Sequence, residues 1–152
     1  MELYQHDFSE LDGTDLDEHG QYGYDDLDCF WINSGWSAYI IKVDDRWVGF
    51  VLTNDEVQTP GNTRAIVEFF VVRKYRGRGV GREAAQLIMS RQPAKWEIRV
   101  IESNTAAQQF WGSLMNAVWP AKHQIAFVDN EQWHGPIFSV DTNVATPFDA
   151  AE

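Results

Sequence analysis

Three kinds of chemically useful residue stand close together between Ala65 and Ala85, in the run AIVEFFVVRKYRGRGVGREAA. The first is a lone carboxylate, Glu68, inside the apolar stretch Ile66-Val67-Glu68-Phe69-Phe70-Val71-Val72. The second is a set of cations: Arg73, Lys74, Arg76, Arg78 and Arg82. The third is the glycines interleaved with them, Gly77, Gly79 and Gly81. A carboxylate among apolar neighbours is disfavoured in its charged form, so its pKa rises, which suits a group that must accept a proton. Glycines let a backbone approach an anion closely, and arginines beside them screen its charge.

The elements that position these residues follow from residue type. β-Branched and aromatic residues dominate Ile66 to Val72, which reads as a buried strand. Glu68 alternates with Val67 and Phe69, which assigns it to the face of Ile66 and Phe70. After the basic loop, Val80, Ala84, Leu87 and Ile88 repeat at helical spacing to about Ser90. A strand, a glycine loop and a helix N-terminus can hold a phosphate, because the free N–H groups of the first helical turn point at it. Two plainer alternatives stand beside this one. The arginines can be a solvated face, and Glu68 an edge-facing or ion-paired residue.

The rest of the chain supplies the frame. Leu3, Tyr4, Phe8 and Leu11 are spaced for one face of a helix over residues 2–10. An acidic loop follows to His19-Gly20, and Gly23 to Trp31 suggests a second helix with Tyr24, Leu27, Phe30 and Trp31 on one side. Ala38–Val43 and Arg46–Leu52 read as a hairpin turning at Asp44-Asp45. Beyond Pro93, Trp96, Ile98 and Val100 alternate with polar residues in a strand. Ser103 or Asn104 then caps a helix carrying Ala107, Phe110, Trp111, Leu114 and Val118. Strands over 122–128 and 136–140 close the domain, which spans residues 1–142, and the tail 143–152 has little reason to be ordered. The fold class is α+β, with helices against a mostly antiparallel sheet.

Composition narrows the function. The chain has 152 residues, 44% of them hydrophobic, and seven tryptophans, which fits a folded domain with a substantial core. No apolar run approaches the roughly 20 residues that cross a membrane, and no signal pattern opens the chain. No membrane partner is expected. The single Cys29 excludes an internal disulfide and fits a reducing, cytoplasmic setting. His6, His19, His123 and His134 lack paired ligand spacing, so no metal is expected. A net charge of −11 argues against nucleic acid as a partner. Acids crowd the segment from Asp7 to Asp28. They can attract a cationic ligand or serve only as a solvated surface. No heptad or patch specifies an oligomer, and a homodimer is compatible with the sequence.

Nucleotide-binding patterns fail in detail. No G-x-x-x-x-G-K-S/T run is present. Gly79-Val80-Gly81-Arg82-Glu83-Ala84 does match G-x-G-x-x-A, with Glu102 at the spacing of a ribose-binding acid. The residues from Arg73 to Arg78 nevertheless separate the strand from the first of those glycines, and too little chain follows for a parallel sheet.

Arg76-Gly77-Arg78-Gly79-Val80-Gly81 resembles the Q/R-x-x-G-x-G/A signature of the GNAT superfamily of N-acetyltransferases. Phe69-Phe70-Val71 and Tyr75 resemble that family's strand-to-loop run. Asn104-Thr105-Ala106-Ala107-Gln108-Gln109-Phe110-Trp111 is similar to its second signature. The element order agrees from the first helix to the last strand. One departure is that the family's first strand is missing here, since Met1 leads straight into a helix; no strand is expected before residue 10.

The resemblance implies acetyl coenzyme A as the acyl donor and a primary amine as acceptor, either a cationic small molecule or a peptide. It assigns the pyrophosphate to the backbone of Arg78, Gly79, Val80 and Gly81, with Arg76 or its neighbours screening charge. It assigns the pantetheine arm to Val71, Val72 and Asn104, the last of which can equally be a helix cap. It makes Glu68 the candidate base. The family's usual tyrosine acid is replaced by Trp111, whose indole cannot supply a proton at neutral pH; water or Tyr75 would have to do so. A non-catalytic acyl coenzyme A binding or sensing module of the same fold is the alternative.

Overall fold

The computed structural model describes residues 1–143. The chain runs α1 (Glu2–Asp12), α2 (Cys29–Ile32), β1 (Ser37–Val43), β2 (Arg46–Asn54) and β3 (Arg64–Val71), then a 3-10 turn at Arg73–Tyr75. It continues through α3 (Val80–Arg91), β4 (Lys95–Arg99), α4 (Thr105–Val118), β5 (His123–Asp129) and β6 (His134–Asp141). The six strands form one sheet ordered β1-β2-β3-β4-β6-β5. Only β3 and β4 pair in parallel, joined by the α3 crossover. The α+β class and the mostly antiparallel sheet are as expected, and within the described residues no strand precedes α1. The tail expected from residue 143 lies, beyond Asn143 itself, outside the described residues.

The hairpin forms where its turn chemistry predicts. Asp44 and Asp45 both take left-handed backbone angles, φ 50° and 61°. That pair makes the two-residue turn whose twist matches the strands it joins. The second helix is a correction. Only Cys29–Ile32 is helical, not Gly23 to Trp31. Asp26 stands at φ 60° and interrupts the helix. Upstream, the Glu2 carboxylate accepts from the N–H groups of Tyr22 at 2.9 Å and Gly23 at 3.1 Å, which ties this segment to α1. A tertiary contact thus overrides a helical pattern.

The core lies between the sheet and the pair α3–α4. Val48, Val51, Ile66, Trp96 and Ile98 from the strands meet Met89, Trp111, Leu114 and Met115 from the helices. Phe69 packs into it against Phe110, with ring centroids 5.7 Å apart. The opposite face is covered by α1, whose Tyr4 ring lies 5.7 Å from Phe50 and 6.0 Å from Phe70.

A bulge separates these two faces on β3. Leu52 pairs with Glu68 but Thr53 pairs with Ile66, which leaves Val67 without an opposite number. The extra residue resets the alternation. Ile66 joins the α3–α4 core, while Glu68 stays with Phe70 under α1. The expectation that Glu68 shares a face with both Ile66 and Phe70 therefore holds only for Phe70.

Glu97 of β4 is fully buried and anchors the β2–β3 loop. It accepts from the N–H groups of Gln58 at 2.9 Å and Thr59 at 2.8 Å, and from Asn62 Nδ2 at 3.2 Å. Replacing it with alanine strands those donors. Glu97→Ala is expected to cost about 2–4 kcal/mol in urea unfolding. Glu97→Gln, which keeps one acceptor, should lose less.

Candidate active site

The site forms where the parallel strands part. β3 and β4 are in register only from Arg64–Ile66 against Trp96–Ile98. Beyond that, Val100 turns to β6, its N–H donating to the Pro136 carbonyl at 3.0 Å. The gap opens into a cleft of about 720 Å³ between the end of β3, the glycine loop, α4 and α1.

Backbone direction decides which groups face this gap. The Val72 N–H donates to the Val48 carbonyl at 2.8 Å, so Val72 is turned toward β2. By the alternation of an extended strand, the N–H and carbonyl of Val71 face the opening. Of the two residues expected to offer their backbone, Val71 does so and Val72 does not. The Val71 carbonyl already accepts from Arg76 Nε at 2.6 Å.

The glycine loop sets up the start of α3. Gly77 and Gly79 have φ of 70° and 84°, and a Cβ on either would meet nothing within 4 Å. Their need for glycine is conformational rather than steric, and it leaves open space beside the backbone. Gly79 is the residue before the helix and offers no side-chain cap. The Glu83 N–H reaches the Gly79 carbonyl at 2.9 Å, and the N–H groups of Val80, Gly81 and Arg82 have no intrahelical acceptor. Gly81 has a second constraint: a Cβ there would stand 3.4 Å from the rings of Phe69 and Phe110. The turn that could hold an anion therefore sits directly on aromatic rings.

The cations divide into two groups. Arg73 and Arg76 both grip Asp7 of α1, at 2.8 Å and 2.6 Å. Burial pushes the Asp7 carboxyl up, but the hydrogen bonds from Arg76 and Arg73 outweigh it and hold the group below the usual carboxylate range. Arg78 and Arg82 are exposed and have no partner among the described residues. Arg82 lines the cleft, whereas Arg78 and Val80 stand outside the lining.

On the far wall, Asn104 caps α4, its Oδ1 accepting from the Ala107 N–H at 3.0 Å. It also lines the cleft, and its amide nitrogen has no partner among the described residues. Trp111 is 3% exposed and stands edge-on to Phe69 and Phe110. Tyr75 packs against the core and does not line the cleft.

Glu68 receives two phenols. Tyr4 donates to its Oε2, and Tyr24 donates to its Oε1 at 2.9 Å. Burial raises the Glu68 pKa. The two tyrosine hydrogen bonds and the charge of Arg99 oppose this, and the net shift is upward. Burial and the neighbouring carboxylate also push both phenols up, so they stay protonated donors. Tyr4 lines the cleft, and Glu68 stands behind it, outside the lining. The sequence puts both tyrosines on helix faces and pairs neither with Glu68. The available signal was that a carboxylate in an apolar strand needs donors, and a phenol is the donor such a stripe can hide.

Several of the acids expected to attract a cation hold the N-terminal segment together instead. Asp12 accepts from the Thr14 N–H, and Asp17 from those of His19 and Gln21. With Asp7 bound to two arginines, these carboxylates have internal work.

A donor to a carboxylate stabilises its charged form. Tyr4→Phe or Tyr24→Phe should therefore raise the Glu68 pKa further. A carboxyl carbon NMR titration of each variant measures it, and a curve that overlays the native one would refute the assignment.

The chain resembles known acetyltransferases in sequence profile and in fold. The profile of the acetyltransferase (GNAT) family matches residues 1–115. No curated protein sequence matches the chain. An acetyltransferase structure from Thermus thermophilus is similar at 14% identity and TM-score 0.59, over 76% of this chain and 70% of that one. A GNAT-family acetyltransferase from Staphylococcus aureus is also 14% identical, with TM-score 0.59 over 93% of this chain and 90% of that one. A protein described as a streptothricin acetyltransferase from Bacillus anthracis, solved with acetyl coenzyme A, is 19% identical, with TM-score 0.52 over 70% of this chain and 63% of that one. At such identities the structural likeness shows the shared fold, while the profile covers most of the chain. By that match and that fold, this chain belongs to the acetyltransferase (GNAT) family.

Proposed function

We propose that the protein transfers an acetyl group from acetyl coenzyme A to a primary amine, with Glu68 receiving the amine's proton. The observation that carries this is Glu68 itself: a carboxylate held by Tyr4 and Tyr24 beside a cleft whose other end presents unpaired helix N–H groups.

The residues present fit the donor. The first turn of α3 offers N–H groups for a pyrophosphate, and Arg82 and Arg78 supply uncommitted charge near it. The Val71 N–H faces the gap as a donor to a carbonyl oxygen. The Asn104 amide lines the opposite wall. Bound there, acetyl coenzyme A supplies the activated acyl group: the amine nitrogen forms the new N–C bond, the C–S bond breaks, and coenzyme A departs as a thiolate that takes up a proton.

Glu68 is positioned for the amine side of this exchange. Each of its oxygens accepts one phenol and retains a lone pair for an amine or a bridging water. Its raised pKa makes it a better base than an exposed glutamate. Trp111 is buried and cannot return a proton to the thiolate. The thiolate therefore takes its proton from water, since Tyr75 stands outside the cleft lining and the Tyr4 proton is held on Glu68. Trp111 also motivates the second reading, a module that binds acyl coenzyme A without turnover. A cytoplasmic setting belongs to the same proposal. Among the described residues no helix is long and apolar enough to cross a membrane.

Glu68→Gln separates the two readings. Turnover, followed by thiol release over a panel of amines, should fall at least ~100-fold, while acetyl coenzyme A affinity by calorimetry stays unchanged. Failure of acetyl coenzyme A to bind the native protein would sink both. The pH profile carries a sign. A base works when deprotonated, so kcat/KM should rise with pH through the Glu68 pKa. That acidic limb should lie above the ordinary glutamate value and vanish in Glu68→Gln.

A further inference from the structure

We propose that the acceptor carries a carboxylate beside its amine, and that Arg99 at the end of β4 binds it; the substrate class is a small amino acid. This rests on the N-acetyltransferase reading above and names the acceptor for it.

The placement comes from register. β3 and β4 are level at Ile66 and Ile98. Trp96, Ile98 and Val100 belong to the α3–α4 core, so Glu97 and Arg99 project from the other face. With Val67 bulged, Glu68 is the first β3 residue past that register to project from the same face. Glu68 and Arg99 thus stand side by side on neighbouring strands, where backbones lie about 5 Å apart before the splay widens them. The charge of Arg99 acts directly on Glu68.

Arg99 pairs in charge with Glu97 but leaves its hydrogen-bond donors unused among the described residues. Its side chain is 21% exposed, and it makes no hydrogen bond among the described residues. The nearest acid oxygen, Oε1 of Glu97, is 3.7 Å from its Nε, beyond hydrogen-bond length. The Glu97 carboxylate is already engaged with Gln58, Thr59 and Asn62. The guanidinium lies over Trp133, 5.8 Å from the ring centre, and Trp133 Nε1 is itself buried without a partner. A half-buried planar fork with unused donors matches a carboxylate bidentately. An α-amino acid carries its amine and carboxylate on one carbon, so both can be held between side chains that project from neighbouring strands. The plain alternative is that Arg99 only offsets the charges of Glu68 and Glu97, and the test must separate the two.

Small amino acids are assayed by thiol release, each paired with its own amide, on the native protein, Arg99→Gln and Arg99→Lys. The native protein should prefer the acid form by at least ~10-fold in kcat/KM. Arg99→Gln should lower kcat/KM for the acid ~10–100-fold more than for the amide, mainly through KM, over and above any change common to both that comes from removing a charge near Glu68. Arg99→Lys should recover part of the loss. Equal use of acid and amide by the native protein overturns the subsite and leaves the N-acetyltransferase reading intact. Equal losses on both substrates in Arg99→Gln reduce Arg99 to a structural role and overturn it too. Calorimetry with the matching N-acetylamino acids gives a readout free of turnover. Binding to the native protein that is lost in Arg99→Gln upholds the subsite even if no amine is acetylated, in which case the reaction alone is wrong. No binding and no acid preference overturn the proposal.

Discussion

The separation of β3 from β4 is the constraint on which the rest of the molecule depends. A parallel pair that stays together only from Arg64 to Ile66 leaves backbone donors and acceptors without a strand partner. Such groups need other partners or a ligand. Here the Val71 carbonyl takes Arg76, Val100 turns to Pro136, and the Val71 N–H is left facing the gap. The bulge at Val67 belongs to the same arrangement. It lets Ile66 stay in the core while Glu68 and Phe70 turn to the α1 face, so one short strand serves both faces of the sheet.

Helix α1 binds this opened region through polar contacts at two points. Tyr4 and Asp7 lie on one side of the helix, the first on Glu68 and the second on Arg73 and Arg76. No residue of α1 is fully buried. Its position therefore depends on these directed contacts and on partly buried aromatic rings more than on a large apolar interface. The acidic character of the N-terminal segment acquires a structural meaning as well. Glu2, Asp7, Asp12 and Asp17 each hold a backbone N–H or a guanidinium that fixes the loop beside the site.

The aromatic wall shows how one position can trade chemistry for packing. Phe69, Phe110 and Trp111 form a continuous aromatic cluster beneath Gly81, with Trp111 edge-on to the other two rings. A bulkier residue at 111 fills the space under the helix N-terminus but removes a phenol from the cleft. The phenols on Glu68 instead come from the N-terminal region, as Tyr4 and Tyr24, on the other side of the sheet.

Local chemistry was enough to read the hairpin, the α3 and α4 helices, the glycine turn and the oddity of Glu68 from the sequence. Each depends on neighbours within a few residues: two aspartates that tolerate left-handed angles, apolar spacing at helical period, glycines at positive φ, one acid in an apolar strand. Helix α2 was overestimated because its periodicity is real but Asp26 and the distant Glu2 delay its start. The facing of Glu68 was half right, since a bulge is a property of two paired strands and one strand alone does not show it. The partners of Glu68 lie 64 and 44 residues away in sequence, and the guanidinium of Arg99 becomes its neighbour only when β4 lies alongside β3. The sequence by itself determined which segments form elements and which backbone can cradle an anion, because these are short-range matters of sterics and hydrogen bonding. Which carboxylate meets which phenol and which arginine was decided by tertiary structure alone, because sheet order and register place residues together whatever their distance along the chain.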